Sequence, residues 1–293
     1  MLSILIPTHD YTCYQLVHDL HTQADHLGIP YEIIVAEDGS KSQVSIIANH
    51  KITDLTNCRH LIRKESVGPA EIRNTLAREA LYDWIIFIDS DAKVEKKDFL
   101  QTYLSNANKA DVIVGGLYHQ KTNHDPNKTL RFKYETEADK HRSAEERNTK
   151  PYNQFTTFNF MMRRSTFLCI QFDTRCKQYG HEDTLFGIEL KQRDISILHI
   201  DNPLLHCGLD TNDAFLRKTE KALQNLRMLN KNLENHSHVG QTFATLRRHH
   251  IAWAIPLFFR LSRPLLLRNL LSPSPSLFWF SVYKLGYYST LFR

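Results

Sequence analysis

Two carboxylates one residue apart, Asp89 and Asp91, follow directly on the apolar run Ile85–Ile88. Such a run predicts a fully buried strand of a parallel sheet. In open α/β sheets, ligands bind just beyond the carboxyl ends of these strands. Paired carboxylates delivered there offer hard oxygen donors to a divalent cation and, through it, to a phosphate. The competing reading is a plain strand-to-turn junction, because Asp and Ser favour turns. Two further pairs stand in comparable places. Glu37 and Asp38 close the apolar stretch Tyr31–Ala36 and open the turn Glu37-Asp38-Gly39-Ser40. Glu182 and Asp183 begin a predicted amphipathic helix over 182–192. There the helix dipole alone would favour them by about 0.3–1 kcal/mol, with or without chemistry.

The elements that must position these residues can be read from the same pattern. Leu2–Pro7 predicts a buried strand and Tyr11–Gly28 a helix that ends at glycine. Tyr31–Ala36 is a second strand and Arg59–Arg63 a weaker third. Gly68–Leu81 opens with Gly-Pro and continues in strong helix formers, as proline in the first turn allows. Trp84–Asp89 is the fourth strand, Lys96–Asn108 a helix, Asp111–Gly115 a fifth strand. This alternation predicts a doubly wound α/β sheet. Gln120–Lys150 is polar and without period, so it reads as a long loop or a helical insertion over a binding site. Phe155–Met162 and Ser196–Ile200 read as strands, Thr211–Asn232 as a polar helix.

Four segments then line up in order: IPTHD at 6–10, AEDGS at 36–40, IDSD at 88–91 and GHED at 180–183. The ordered set resembles the family 2 glycosyltransferases, which have the GT-A fold: a Rossmann-like, mostly parallel sheet flanked by helices. The resemblance covers about the first 210 residues, and GPAEIRN at 68–74 resembles the family's Gly-x-x-x-Ala-Arg-Asn helix start, with Ile72 in place of a small residue. Glu37-Asp38 stands where Asp-Asp is common. Position by position, the resemblance implies that Pro7 and Thr8 line a nucleotide pocket and that Asp38, with Glu37 beside it, accepts a hydrogen bond from a uracil ring. Arg73 lies near the nucleotide, as do Asp89 and Ser90. Asp89 and Asp91 resemble the family's metal motif for Mn²⁺ or Mg²⁺, and the resemblance implies His206 as a further ligand. Asp183 resembles the catalytic base of the Glu182-Asp183 pair. Each role has a plainer rival: Asp38 as a turn cap, Arg73 as a helix-surface ion pair, His206 as a strand-end histidine.

What the resemblance implies is an inverting, metal-dependent transfer of sugar from a nucleotide sugar, expected to be a UDP-sugar, to a glycan or lipid-linked acceptor in cell-surface polysaccharide synthesis. A nucleotidyltransferase on a similar scaffold would carry a Gly-rich, Arg/Lys-bearing loop after the first strand; here THDYTCYQ follows, with no Gly, Arg or Lys. A non-catalytic nucleotide- or glycan-binding module is disfavoured by Asp89, Asp91 and Asp183.

Composition sets the frame around this core. The 293 residues are 42% hydrophobic and 24% charged, ordinary for a globular chain. Five scattered cysteines show no zinc spacing, and no secretory leader is seen before Met1–Pro7, which predicts a reducing, cytoplasmic compartment. Of the 16 histidines, His119, His181 and His199 are given no role. Charge is uneven. From Asn235 onward there is no Asp or Glu and a net charge of +7, while the first 234 residues carry 30 basic against 32 acidic side chains. We therefore expect a catalytic domain over 1–234 and a basic, aromatic-rich helical extension over 235–293. Its apolar runs are far short of the ~18 residues of a bilayer span, and Pro256, Pro264, Pro273 and Pro275 are expected to break it into brief helices. Arg among Trp and Phe on short helices predicts a peripheral segment at the inner membrane face, with a structural cap as the rival. Nucleic acid is not an expected partner.

Overall fold

The computed structural model describes residues 1–175, 180–229 and 237–292. The expected boundary at 234/235 and Cys176 fall outside the described residues. The described chain divides into two compact units: residues 1–118, 141–177 and 182–208 form the first, and 119–140, 178–181 and 209–293 the second.

In the first unit, the apolar runs become the strands of the main sheet. β1 (Leu2–Thr8) leads into α1 (Tyr14–Leu27), which Gly28 ends in the left-handed conformation. β2 (Tyr31–Asp38), α2 (Gln43–His50), β3 (Cys58–Arg63), α3 (Pro69–Glu79) and β4 (Trp84–Ile88) follow. β2 runs two residues further than expected, because Glu37 and Asp38 still pair with Ile62 and Arg63 of β3. Next come β5 (Ala92–Lys93), α4 (Phe99–Asn106), β6 (Val112–Val114) and β7 (Leu117–His119), where the chain passes toward the second unit.

The segment 120–150 holds two helices, α5 (Thr129–Asp139) and α6 (Ala144–Thr149), so the helical alternative is the one realised. A Ser143–Glu146 capping box starts α6. β8 (Asn159–Arg163), α7 (Arg164–Ile170), α8 (Glu182–Gln192), β9 (Ile197–His199) and β10 (Leu204–His206) complete the first unit.

The main sheet has the order β3-β2-β1-β4-β8-β6-β9. β1 pairs in parallel with both β2 and β4, so the direction of chain winding reverses at β1/β4. β8 is antiparallel to both β4 and β6. Ile85–Ile88 of β4 have no exposed surface. The reversal point of such a sheet opens a crevice at the carboxyl ends of its strands. A second, small sheet has the order β5-β10-β7.

The second unit is helical: α5, α9 (Asn212–Leu229), α10 (His238–Arg248), α11 (Ile255–Leu270) and α12 (Leu277–Thr290). Its core joins Leu130, Leu216, Phe259, Leu266, Leu270, Phe280 and Tyr283. One expectation is corrected here. Pro264 does not break the chain into brief helices but lies inside the 16-residue α11. An interior proline forfeits one backbone hydrogen bond, and burial of Phe259 before it and Leu266 and Leu270 after it offsets that loss. Pro256 sits in the first turn of α11, where no bond is lost.

Candidate active site

The ends of β1, β2, β4 and β10, together with α3 and the start of α8, supply the polar side chains of the crevice, all in the first unit. At the end of β2, Asp38 accepts hydrogen bonds from the Val67 and Gly68 backbone N–H groups at 2.7 and 3.0 Å and from Ser66 Oγ at 2.7 Å. The loop that opens α3 is thereby tied to the sheet. Gly39 next to it has φ +66°, and a Cβ there would stand 2.3 Å from the Ser66 nitrogen, so only glycine fits. Glu37 points elsewhere. Its side chain has no exposed surface and accepts from Asn49 at 2.8 Å and from Ser40, with His60 Nε2 3.2 Å away. Burial works against its charge, but the His60, Asn49 and Ser40 hydrogen bonds hold its carboxyl below the usual range. At the end of β1, Pro7 is half-buried, and buried Thr8 donates to the Tyr11 carbonyl at 3.1 Å.

At the end of β4, Asp89 and Asp91 part company. Asp89 Oδ1 takes a hydrogen bond from buried Arg73 at 2.5 Å. Arg73 also donates to the Pro69 carbonyl, and its guanidinium lies 5.9 Å from the Phe172 ring centre. Burial pushes the Asp89 carboxyl up to about 6; the Arg73 charge opposes this, while Asp91 and Glu182 add to it. Half-buried Ser90 separates it from Asp91. Asp91 Oδ2 stands 2.9 Å from His206 Nε2. Strand pairing makes that approach: β10 runs antiparallel to β5 with His206 opposite Ala92, the residue after Asp91. The Cys207 N–H donates to the Asp91 carbonyl at 2.8 Å, and the His206 ring packs edge-on against Phe158.

Glu182 and Asp183 occupy the first turn of α8. The Thr184 N–H donates to Asp183 Oδ1 at 2.8 Å. Burial raises the Asp183 carboxyl above its ordinary range; Thr184 and Arg73 oppose the rise, and Asp89 adds to it. Asp183 thus feels the same Arg73 and Asp89 that share the crevice with Asp91. α8 is held by Phe186, which stacks on Phe172 with ring centres 4.3 Å apart and packs on Phe155, Phe160 and Phe167. Phe87 of β4 enters the same cluster, 5.0 Å from Phe160. One aromatic cluster therefore underlies both the strand bearing Asp89 and the helix bearing Asp183.

The fit of a divalent cation rests on Asp91 and His206, a carboxylate and an imidazole brought together across 115 residues. Gly208 leaves the space beside them: a Cβ there would lie 2.0 Å from Asp91 Oδ2. Among the described residues, no group of three or more His, Cys, Asp or Glu is arranged to hold a metal. Two protein ligands fit a cation whose shell phosphates and waters complete.

Three residues to which the sequence assigned no role join the site. Asn74 donates to the Phe172 carbonyl and accepts from its N–H, fixing the ring beneath Arg73. Asp10 accepts from the Lys41 and Ser42 N–H groups and so braces the loop after β2. Tyr11 lies near Asp91, and burial and that carboxylate push its phenol up. The IPTHD and GPAEIRN segments already contained Asp10 and Asn74; only the fold shows what they hold.

The sequence model of Glycosyl transferase family 2 matches residues 3–170. No curated protein sequence matches the chain significantly. Among solved structures, the fold is similar to residues 1–349 of TarS from S. aureus: 14% identity, TM-score 0.52, covering 98% of this chain and 89% of that one, with a UDP-GlcNAc complex of the same protein equally similar. It is also similar to the mannosyltransferase PcManGT from Pyrobaculum calidifontis in complex with GDP-Man and Mn²⁺: 11% identity, TM-score 0.51, covering 99% and 84%.

Proposed function

This chain belongs to glycosyl transferase family 2, and from that premise we propose that it is an inverting, divalent-cation-dependent enzyme that moves a sugar from a UDP-sugar to a hydroxyl of a glycan or lipid-linked acceptor, in the building of a cell-surface polysaccharide. The observation that carries the reading is the joint placement of Asp91–His206 and Asp183 around Arg73 and Asp89.

In this reading Asp91 and His206 hold Mn²⁺ or Mg²⁺ together with the donor's phosphates. When bound, the cation acts as a Lewis acid that neutralises the departing diphosphate. Asp38, already holding the 66–68 loop, offers its remaining acceptor capacity to a uracil N–H, and Pro7 and Thr8 form the adjoining wall. Glu37, Asn49 and His60 act behind it by keeping β2 and its loop in place. Arg73 balances Asp89 and keeps the crevice from accumulating negative charge before an anionic donor enters.

Asp183 accepts the proton of the acceptor hydroxyl. The hydroxyl oxygen bonds to the anomeric carbon as the bond from that carbon to the phosphate oxygen breaks, and the nucleoside diphosphate departs from the opposite face. A base with a raised pKa is better matched to this task than an ordinary aspartate. The TarS complex with UDP-GlcNAc and the PcManGT complex with GDP-Man support a nucleotide-sugar donor, and PcManGT supports Mn²⁺. The test is a donor screen that reads release of UDP or GDP in the presence of Mn²⁺ or Mg²⁺. Release from a UDP-sugar is expected; release from GDP-sugars alone would refute the donor assignment.

A further inference from the structure

The second unit carries an apolar surface formed by none of the residues of the candidate site. α11 is apolar on two sides. Phe259, Leu266 and Leu270 point into the helical core. Leu257, Leu261 and Leu265, spaced i, i+4, i+8, form a stripe that is 57, 75 and 71% exposed. Phe258 beside the stripe and Trp253 just before the helix are 59 and 78% exposed. A groove of about 250 Å³ adjoins it, lined by Leu246, Ile255, Phe258, Phe259, Val282 and Leu285. Scattered exposed apolar residues need no explanation, but a contiguous patch marks a binding surface.

The charge that the segment itself brings to the patch has one sign. Arg260 and Arg268 on α11, and Arg247 and Arg248 at the end of α10, are exposed, and no Asp or Glu occurs anywhere in 235–293. Two other basic residues of the stretch are engaged within the unit: Arg263 stands 3.7 Å from Glu220, and Lys284 lies over the rings of Phe280 and Tyr134. Arg260 and Arg268 share α11 with the leucine stripe, Arg247 and Arg248 end the helix before it, and their own segment holds no balancing acid.

We propose that α11 and the residues leading into it, 247–253, form a docking face for an anionic lipid bilayer. The leucine stripe, Phe258 and Trp253 would enter to headgroup depth, and the arginines would pair with lipid phosphates. Charge decides between occupants. A second copy of the chain, paired about a two-fold axis, would set the arginine-bearing face against itself; an anionic membrane complements it. No helix among the described residues is long and apolar enough to cross a membrane, so the contact is peripheral. The inference is independent of the transfer reading, since lipid binding is measured without a donor.

The test is co-sedimentation of the full chain with vesicles of phosphatidylcholine alone or mixed with phosphatidylglycerol. Binding to the mixed vesicles, weakening as salt rises, is expected, with little binding to the neutral ones. An arginine that reaches the surface strengthens binding by about fivefold, so Arg260→Glu with Arg268→Glu should weaken it by more than tenfold. Leu257→Ser, Leu261→Ser and Leu265→Ser together should weaken it at every salt concentration, with far-UV circular dichroism unchanged. The proposal is overturned if the wild-type chain stays in the supernatant at low salt, if it pellets equally with both vesicles, or if the leucine variant binds as tightly as wild type. It is also overturned by a stable dimer in sedimentation velocity that the leucine variant dissolves, because then a second copy covers this face.

Discussion

Asp183 and His199 show how burial turns a single ionisable group into a measurable pH dependence. Burial raises the Asp183 carboxyl, and Asp89 nearby raises it further. If this group takes the acceptor's proton, kcat/KM rises with pH through an acid limb above the ordinary aspartate value of 3.8. A limb at or below that value would separate Asp183 from catalysis. His199 is structural. Its Nδ1 accepts from Arg147 at 2.8 Å and its Nε2–H donates to the Pro151 carbonyl at 2.9 Å, so only the neutral ring satisfies both contacts. Burial, with Arg147 adding to it, lowers its pKa to about 4. Its folded value lies below the unfolded value of about 6.5, so its contribution is complete above that pH and is lost as pH falls toward 4. The loss amounts to about 3 kcal/mol. Urea unfolding across this window should show the acid loss in the wild type and a much shallower one in His199→Gln; equal slopes would refute it. His206 marks the limit of legibility at this scale. A lone histidine in LLHCG carries no local signal, and family resemblance rather than spacing drew attention to it, because β5–β10 pairing alone brings it to Asp91.

At the scale of elements, one aromatic cluster underlies both β4, which leads to Asp89, and α8, which carries Asp183. Phe186 is 2% exposed and touches Phe155, Phe160, Phe167 and Phe172. Phe186→Ala should destabilise the first unit by about 3–5 kcal/mol. It should also lower kcat more than it raises KM for the donor, because α8 carries Asp183 while the proposed nucleotide wall lies on β1 and β2. Chemical denaturation and steady-state kinetics check both; a change in KM alone would place α8 on the donor side. β1, β2 and β4 were legible in the sequence because long apolar runs ending in Pro or Asp have few other uses. β5, β7 and β10 were not, since strands of two or three residues lack a period of their own and exist by pairing. α11 was misread at Pro264 because the rule that proline breaks helices ignores the burial on either side of it.

The whole molecule joins a sheet that bears the crevice to a helical unit whose basic residues are partly engaged and partly exposed. Uneven charge along the chain was visible in the sequence; which arginines are exposed was not, because Arg263 and Lys284 find Glu220, Phe280 and Tyr134 only in the folded unit. The proposed transfer draws on the whole first unit at once, since strand ends, α8 and β10 must all be in place for it. Its central claim is that transfer needs a cation at Asp91 and a base at Asp183. The most direct measurement is the rate of nucleoside diphosphate release from the preferred donor by wild type, Asp91→Asn and Asp183→Asn, with Mn²⁺ and with EDTA, alongside UDP binding by each variant. We expect EDTA and Asp91→Asn to cut the rate by orders of magnitude. Asp183→Asn should cut it by about 10²–10⁴-fold while UDP still binds. Undiminished release in EDTA, or near-wild-type release by either variant, would contradict the account.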